Sequence, residues 1–289
     1  MSTTQKPGIH RGMSTYCWYP LYNVCMDLED SLQIMQDMGA HGIEILADGV
    51  IKGYPYPSKE WLNKWFAMCD HYEIVPVEYG HWVESKLYRG RESTVEESLE
   101  QLIHDIKLAS YMGFTCMRTK LGVIDGKLTP TLIWRDVIRK ALPYAEKYNV
   151  VMQPEIHNPT KLTDQMIMDY VEFIEKEDTQ FFGFNIDFGV FKNKPTPGTV
   201  SHRPLDPSKP EDIIPLLPYV HACHAKYYNM SEDFEETTIP YREVIKIMQD
   251  HGWNGYLLSE YEGEHKEDFN YCMTQVKRHH VMMKRILGE

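Results

Sequence analysis

Short apolar runs alternate along the chain with longer segments whose apolar positions recur every three to four residues. The runs Ile9–Thr15, Gly42–Leu46, Ile74–Tyr79, Thr115–Thr119, Val150–Ile156, Phe182–Asp187, His221–Tyr227 and Gly255–Tyr261 read as buried strands. Between them, helices are predicted over Leu28–Met38, Ser58–His71, Thr94–Met112, Thr131–Tyr148, Thr163–Glu175, Glu211–Leu217, Tyr241–His251 and Lys266–Leu287. Boundary chemistry supports several of these. Ser58 stands three residues before Trp61, and Thr94 three before Glu97, which makes the second pair a capping box. Gly39, Gly113 and Gly252 each follow a helical pattern, where a left-handed residue is wanted. Eight strand–helix units in 289 residues is the count for a (β/α)8 TIM barrel. The reading is therefore α/β, one barrel domain over residues 1–289. An open doubly wound sheet would carry a Gly-rich phosphate loop, and neither GxGxxG nor GxxxxGK[ST] occurs. The long irregular stretch Gly189–Pro210, directly after the sixth strand, is expected to be a binding loop or lid.

Composition narrows the classes of function. Asp plus Glu number 42 against 30 Lys plus Arg, a net charge of -12, and no basic block interrupts the acidic field. Such a field repels phosphate backbones, so nucleic acid is not an expected partner. No apolar run reaches the ~18 residues a membrane span needs. The first twelve residues lack the apolar segment of a signal peptide. The six cysteines form no CxxC and lie mostly in core-like segments, as in a reduced cytoplasmic protein.

In a barrel the C-terminal strand ends build the active site. Strands five to eight bring Glu155, Asp187, His224 and Glu260 to that rim, one every 32 to 37 residues. Three carboxylates around one imidazole repel one another unless a cation lies between them. Oxygen-rich ligands with one nitrogen and no thiolate suit a harder divalent ion such as Mn2+, Mg2+ or Co2+. The plainer alternative is four unrelated rim residues, which four consecutive strand ends disfavour. His157, two residues past Glu155, shares its face and is a candidate base, or else a hydrogen-bonding neighbour. Arg118, Lys120 and Lys226 could hold a substrate oxygen or neutralise the acidic rim. Glu44 and Glu78, ending strands two and three, could bond a polyol, and Glu262 more naturally bonds a neighbour. Tyr16, Trp18, Tyr19, Tyr22, Tyr79, His81 and Trp82 make the early loops aromatic, either as a stacking surface for sugar or aglycone or as packing. His81 is the one counted with Arg118, Lys120, Lys226 and Glu44 as a substrate contact.

The Glu155, Asp187, His224, Glu260 set resembles that of the xylose-isomerase-like barrels, the sugar phosphate isomerases and epimerases. The phrases Met117-Arg118-Thr119-Lys120-Leu121, Glu155-Ile156-His157-Asn158-Pro159, Asn185-Ile186-Asp187-Phe188-Gly189-Val190-Phe191, His224-Ala225-Lys226 and Ser259-Glu260-Tyr261-Glu262-Gly263 are most similar to the α subunits of bacterial C-glycoside deglycosidases. That resemblance implies Mn2+ at the four residues, His157 as the base, a small β-subunit partner in a hetero-oligomer, and a 3-oxo-glucoside substrate such as an oxidised flavonoid C-glucoside. It implies a carbon–carbon lyase acting by C2 proton abstraction and β-elimination, because a C–C bond offers no glycosidic oxygen to protonate. Two alternatives stand beside it. One is a ketose 3-epimerase or sugar isomerase, in which Glu155 and Glu260 exchange the proton. The other is a non-catalytic sugar-binding subunit. The related DNA-repair endonucleases are disfavoured by the acidic charge.

Overall fold

The structure is a computed structural model that describes residues 7–83, 91–121, 128–197 and 205–289, without the side chains of residues 81–83, 120 and 121. Among the described residues nine strands form one parallel sheet: β1 (Ile9–Ser14), β2 (Gly42–Leu46), β3 (Val75–Val83), β4 (Cys116–Leu121), β5 (Val151–Gln153), β6 (Glu155–Ile156), β7 (Phe184–Asp187), β8 (Val220–Tyr227) and β9 (Gly255–Tyr261). The order β5-β4-β3-β2-β1-β9-β8-β7-β6 begins and ends on two halves of one run, parted by Pro154. Proline has no N–H for the ladder, so the fifth barrel strand breaks there. Its first half also reaches the following strand: Met152 N–H donates to the Phe181 carbonyl and Gly183 N–H to the Met152 carbonyl, each at 3.0 Å. The ring closes through that residue, as a (β/α)8 barrel whose fifth strand is split.

Helices wrap the outside: α1 (Leu28–Met38), the one-turn α2 (Ala47–Val50), α3 (Lys59–His71), α4 (Val95–Met112), α5 (Trp134–Tyr148), α6 (Gln165–Glu177), α7 (Tyr241–Asp250) and α8 (Phe269–Leu287). Both expected caps are present. Ser58 Oγ accepts from Trp61 N–H at 3.2 Å, and Thr94 and Glu97 exchange both bonds of their box at 3.2 and 2.9 Å. Gly39 and Gly113 end α1 and α4 at φ 63° and 94°, conformations open to glycine. A second box, Asp27 with Asp30, starts α1.

Two segments depart from the sequence reading. Residues 210–219 form a 3-10 helix rather than an α-helix, because Pro215 and Pro218 remove donors that an α-helix requires. Thr15–Leu21, directly after β1, is also 3-10 and buries Trp18 completely. Within 189–210, residues 198–204 lie outside the described residues. On either side of them the chain is tied to the body: Asn193 N–H donates to the Thr238 carbonyl, and Ser208 N–H to the Val190 carbonyl, both at 2.9 Å. All six cysteines are free thiols, four of them buried. Among the described residues no helix is long and apolar enough to cross a membrane.

Candidate metal centre

Strand register assembles the site. Asp187 on β7 lies opposite His224 on β8, and Lys226 on β8 opposite Glu260 on β9. Paired residues on neighbouring strands project to the same face. Glu155, at the start of β6 just past the proline break, completes a group whose four ligand-type atoms all lie within 4.8 Å of one another. Asp187 and His224 are fully buried, Glu260 nearly so, and the Glu155 side chain only slightly exposed. His224 Nδ1 is 3.0 Å from Glu155 Oε1 and 3.2 Å from Glu260 Oε2. Asp187 Oδ1 accepts the Gly189 N–H at 2.6 Å, while Asp187 Oδ2 and Glu260 Oε2 are buried and face the Lys226 ammonium.

The cations lie among these acids. Lys226 Nζ is 2.6 Å from Asp187 Oδ2, 3.3 Å from Glu260 Oε2 and 3.7 Å from Glu262 Oε2. Arg118, nearly buried, is 3.5 Å from Glu155 and 3.6 Å from Glu44. Below the imidazole, Glu78 accepts from Gln153 Nε2 at 2.8 Å and from Asn185 Nδ2 at 2.9 Å. Glu44, also fully buried, lies 3.2 Å from His224 Nε2.

This packing displaces charge equilibria in opposite directions. Burial raises Asp187 well above the usual carboxylate range, and raises Glu78 as well. Burial also opposes ionisation of Glu155 and Glu260, yet both are held below that range, Glu155 by Arg118 and His224, Glu260 by Lys226 and His224. Burial would discharge His224, but Glu44, Glu260 and Glu155 outweigh it and raise its pKa well above normal. Glu44, Glu78, Glu155, Asp187 and Glu260, with Glu262 at the outer edge, thus surround two permanent cations. Without an ion, a protonated His224 is what balances the acids around it, and a divalent ion would supply that positive charge in its place. An O3N donor set without sulfur, buried and held within 4.8 Å, fits a hard dication.

His157 stands beside this group, half-buried. Its Nδ1 is 2.7 Å from the Asn158 carbonyl, which can only accept, so Nδ1 carries the proton and Nε2 keeps a lone pair. Burial lowers its pKa, against the pull of Glu155, so the ring is neutral and able to accept a proton.

Other candidates find different places. Glu44, one of the expected substrate contacts, is fully buried under His224 and beside Arg118. Glu78 is likewise consumed by Gln153 and Asn185. Arg118 and Lys226 pair with the site's own carboxylates. Trp18 and Tyr79 are core, the latter donating to Asp105 at 2.6 Å, so the early aromatics divide between packing and surface. Tyr16 stays half-buried at the rim, donating to Glu262 at 3.2 Å beneath the Lys266 ammonium, 3.5 Å from its ring centre. The His81 and Lys120 side chains lie outside the described residues, although β3–β4 pairing puts their backbones one position apart at the same rim. The role of Asn185 and Gln153, which organise the layer under His224, was not anticipated. The inward alternation of Asn185 with Asp187 on β7 was the available signal.

A closed parallel barrel with an acidic, histidine-centred cluster at the C-terminal ends of its last four strands defines the class. Residues 32–276 match the family model described as xylose isomerase-like TIM barrel, and the chain belongs to that family. Within it, the chain is similar to the 3'-dehydrocarminate deglycosidase alpha subunit of a Microbacterium species, at 24% identity over 96% of this chain and 95% of that protein. It is also 20% identical to a C-glycoside deglycosidase alpha subunit of Arthrobacter globiformis, over 86% of this chain and 83% of that one. Among solved structures, D-psicose 3-epimerase from Clostridium cellulolyticum H10 superposes with a TM-score of 0.68 at 15% identity, covering 97% of this chain and 99% of that one.

Proposed function

We propose that this protein is an enzyme, the catalytic subunit of a metal-dependent C-glycoside deglycosidase acting on 3-oxo-glucosides. The observation that carries the reading is the buried group of Glu155, Asp187, His224 and Glu260, with a neutral, correctly protonated imidazole beside it. Full-length similarity to two deglycosidase alpha subunits supports the choice of reaction. The four residues would hold a divalent ion, of which Mn2+ is our choice, and bound there it would supply positive charge beside an oxyanion developing on the substrate.

The remaining chemistry belongs to the chain. A ketone at sugar carbon 3 acidifies the hydrogen on carbon 2. His157 Nε2 removes that proton, and the electron pair enters the carbonyl to form an enolate. The enolate then re-forms the ketone and expels the aglycone from carbon 1, leaving a carbon 1–carbon 2 double bond. The departing ring carbon takes up a proton, so one glycoside yields one unsaturated keto-sugar and one free aglycone. Arg118 and Lys226 keep Glu155 and Glu260 ionised while the site is dry. Because the two relatives are named alpha subunits, the enzyme is proposed to work with a second, smaller subunit.

The test combines the protein, its co-expressed partner, Mn2+ and a 3-oxo-C-glucoside, with aglycone release followed by chromatography. Release that stops on chelation supports the lyase. A second reading, ketose epimerisation, draws on the D-psicose 3-epimerase likeness and on Glu155 and Glu260 flanking one imidazole nitrogen. It is supported instead by solvent deuterium entering a ketose beside its carbonyl with no aglycone released.

A further inference from the structure

The two nitrogens of His224 look into different surroundings. Nδ1 faces Glu155 and Glu260. Nε2 faces Asn185 Nδ2 at 2.8 Å, Glu44 Oε2 at 3.2 Å and Glu78 Oε2 at 3.5 Å. The Asn185 amide is orientated by the backbone: its oxygen accepts the His224 N–H at 3.0 Å, so its nitrogen is the atom turned toward Glu78 and the ring. That amide can only donate. It therefore suits a ring whose Nε2 is bare, which leaves the proton on Nδ1, the atom facing Glu155 and Glu260.

A metal ion at the proposed site requires the other tautomer, with Nδ1 bare and the proton on Nε2. An acceptor for that proton must then exist below the ring. Glu78 stands farther away, at 3.5 Å, and each of its oxygens already accepts one hydrogen bond, from Gln153 and from Asn185. Glu44 is fully buried and neither of its oxygens accepts a hydrogen bond among the described residues. It reaches His224 from β2, across the barrel interior, because β1 and β9 stand between β2 and β8 in the sheet. Its charged neighbours are Arg118 at 3.6 Å and His224 at 3.2 Å, so a proton on Nε2 would give this buried carboxylate the hydrogen bond it lacks.

We propose that Glu44 is a positioning residue that accepts the His224 Nε2–H and thereby makes Nδ1 the ligand nitrogen. It touches neither ion nor substrate; it acts through the ring, orienting it and raising its basicity. The inference rests on the metal reading of the four residues, and the experiment separates the two.

Mn2+ affinity is measured by calorimetry on chelator-stripped wild-type, Glu44→Gln and Glu44→Leu proteins, with apoprotein melting temperatures as a folding control. Histidine tautomers are read by 15N NMR of each protein loaded with diamagnetic Mg2+ or Zn2+. Glu44→Gln retains a weaker acceptor and should lose about tenfold in affinity; Glu44→Leu retains none and should lose about a hundredfold. The loaded wild type should show the Nε2–H form at His224, and Glu44→Leu a weakened or mixed population. Equal affinities with an unchanged His224 signal in well-folded variants would overturn the role given to Glu44. A wild type that binds no divalent ion would remove the metal reading itself, and this inference with it. Should Glu44→Leu fail to fold, Glu44→Gln decides the matter by the same two measurements.

Discussion

His157 and Glu155 are two residues apart on one strand end, yet their environments assign them different work. Glu155 lies within the four-residue group, whereas His157 turns its protonated nitrogen to its neighbour's carbonyl and keeps the other free. His157→Ala should therefore retain the bound ion while losing at least about a hundredfold in turnover, the usual worth of a positioned base. Glu155→Ala should lose both. Elemental analysis beside aglycone assays checks this, and equal metal loss in both variants would make His157 a ligand. At this scale, residue type at strand ends sufficed to pick out the four residues that converge. It could not distinguish Glu44 from a rim carboxylate, because the meaning of Glu44 depends on a histidine that reaches it only across the barrel.

Two elements control how well the site is held. The turn after β7 is tight: a Cβ on Gly189 would meet Asp187 Oδ1 at 2.8 Å and the Tyr228 hydroxyl at 3.0 Å. Gly189→Ala should displace the Asp187 carboxylate that its own N–H now holds, lowering Mn2+ affinity several-fold with a change in melting temperature of only a few degrees. Calorimetric titration beside thermal melts would show whether affinity and fold separate in this way. On the far side of β8 and β9, α8 inserts His279 and His280 into the core. His279 lies flat on Tyr227, ring centres 3.9 Å apart, and joins Ser259 to Tyr241, which donates to the Lys226 carbonyl. His280 accepts from Arg11. Burial drives both pKa values down, that of His280 to about 3. Each ring is neutral when folded and takes a proton when unfolded, so stability is complete above the ordinary histidine pKa near 6.5 and declines as pH falls from there toward 3. One fully displaced histidine contributes a slope of roughly 1 kcal/mol per pH unit. Urea midpoints of the wild type should drop between pH 7 and pH 5. His280→Gln, which keeps an acceptor for Arg11 but does not titrate, should start lower and fall less; parallel slopes would show that His280 does not govern the effect.

At the scale of the whole molecule, a single ion would cross-link strands five to eight of the closed barrel. Binding to the folded state alone adds about 2.7 kcal/mol when the ion exceeds its dissociation constant a hundredfold. For a chain of 289 residues that corresponds to roughly 4–5 °C in melting temperature. Chelation should lower the melting temperature by that amount and Mn2+ should restore it, which differential scanning calorimetry would register; an unchanged melt would mean no ion is bound at depth. The barrel itself was legible in the sequence because each element carries its own local signal. Buried parallel strands read as apolar runs, Thr94 with Glu97 starts a helix, and glycines end helices. Residues 210–219 misled that reading, since their apolar spacing is helical but their prolines allow only a 3-10 turn. The sequence by itself determined the eight strand–helix units, the ring order and the four chemical groups at consecutive strand ends, though not the break of the fifth strand at Pro154, because the former follow from alternation and spacing along one dimension. Only the tertiary structure decided that Arg118 and Lys226 are consumed by the acids, that Asn185 and Gln153 occupy Glu78, and that Glu44 lies under His224. Those pairings join strands far apart in the chain, and they exist only once the sheet has closed and excluded water from its centre.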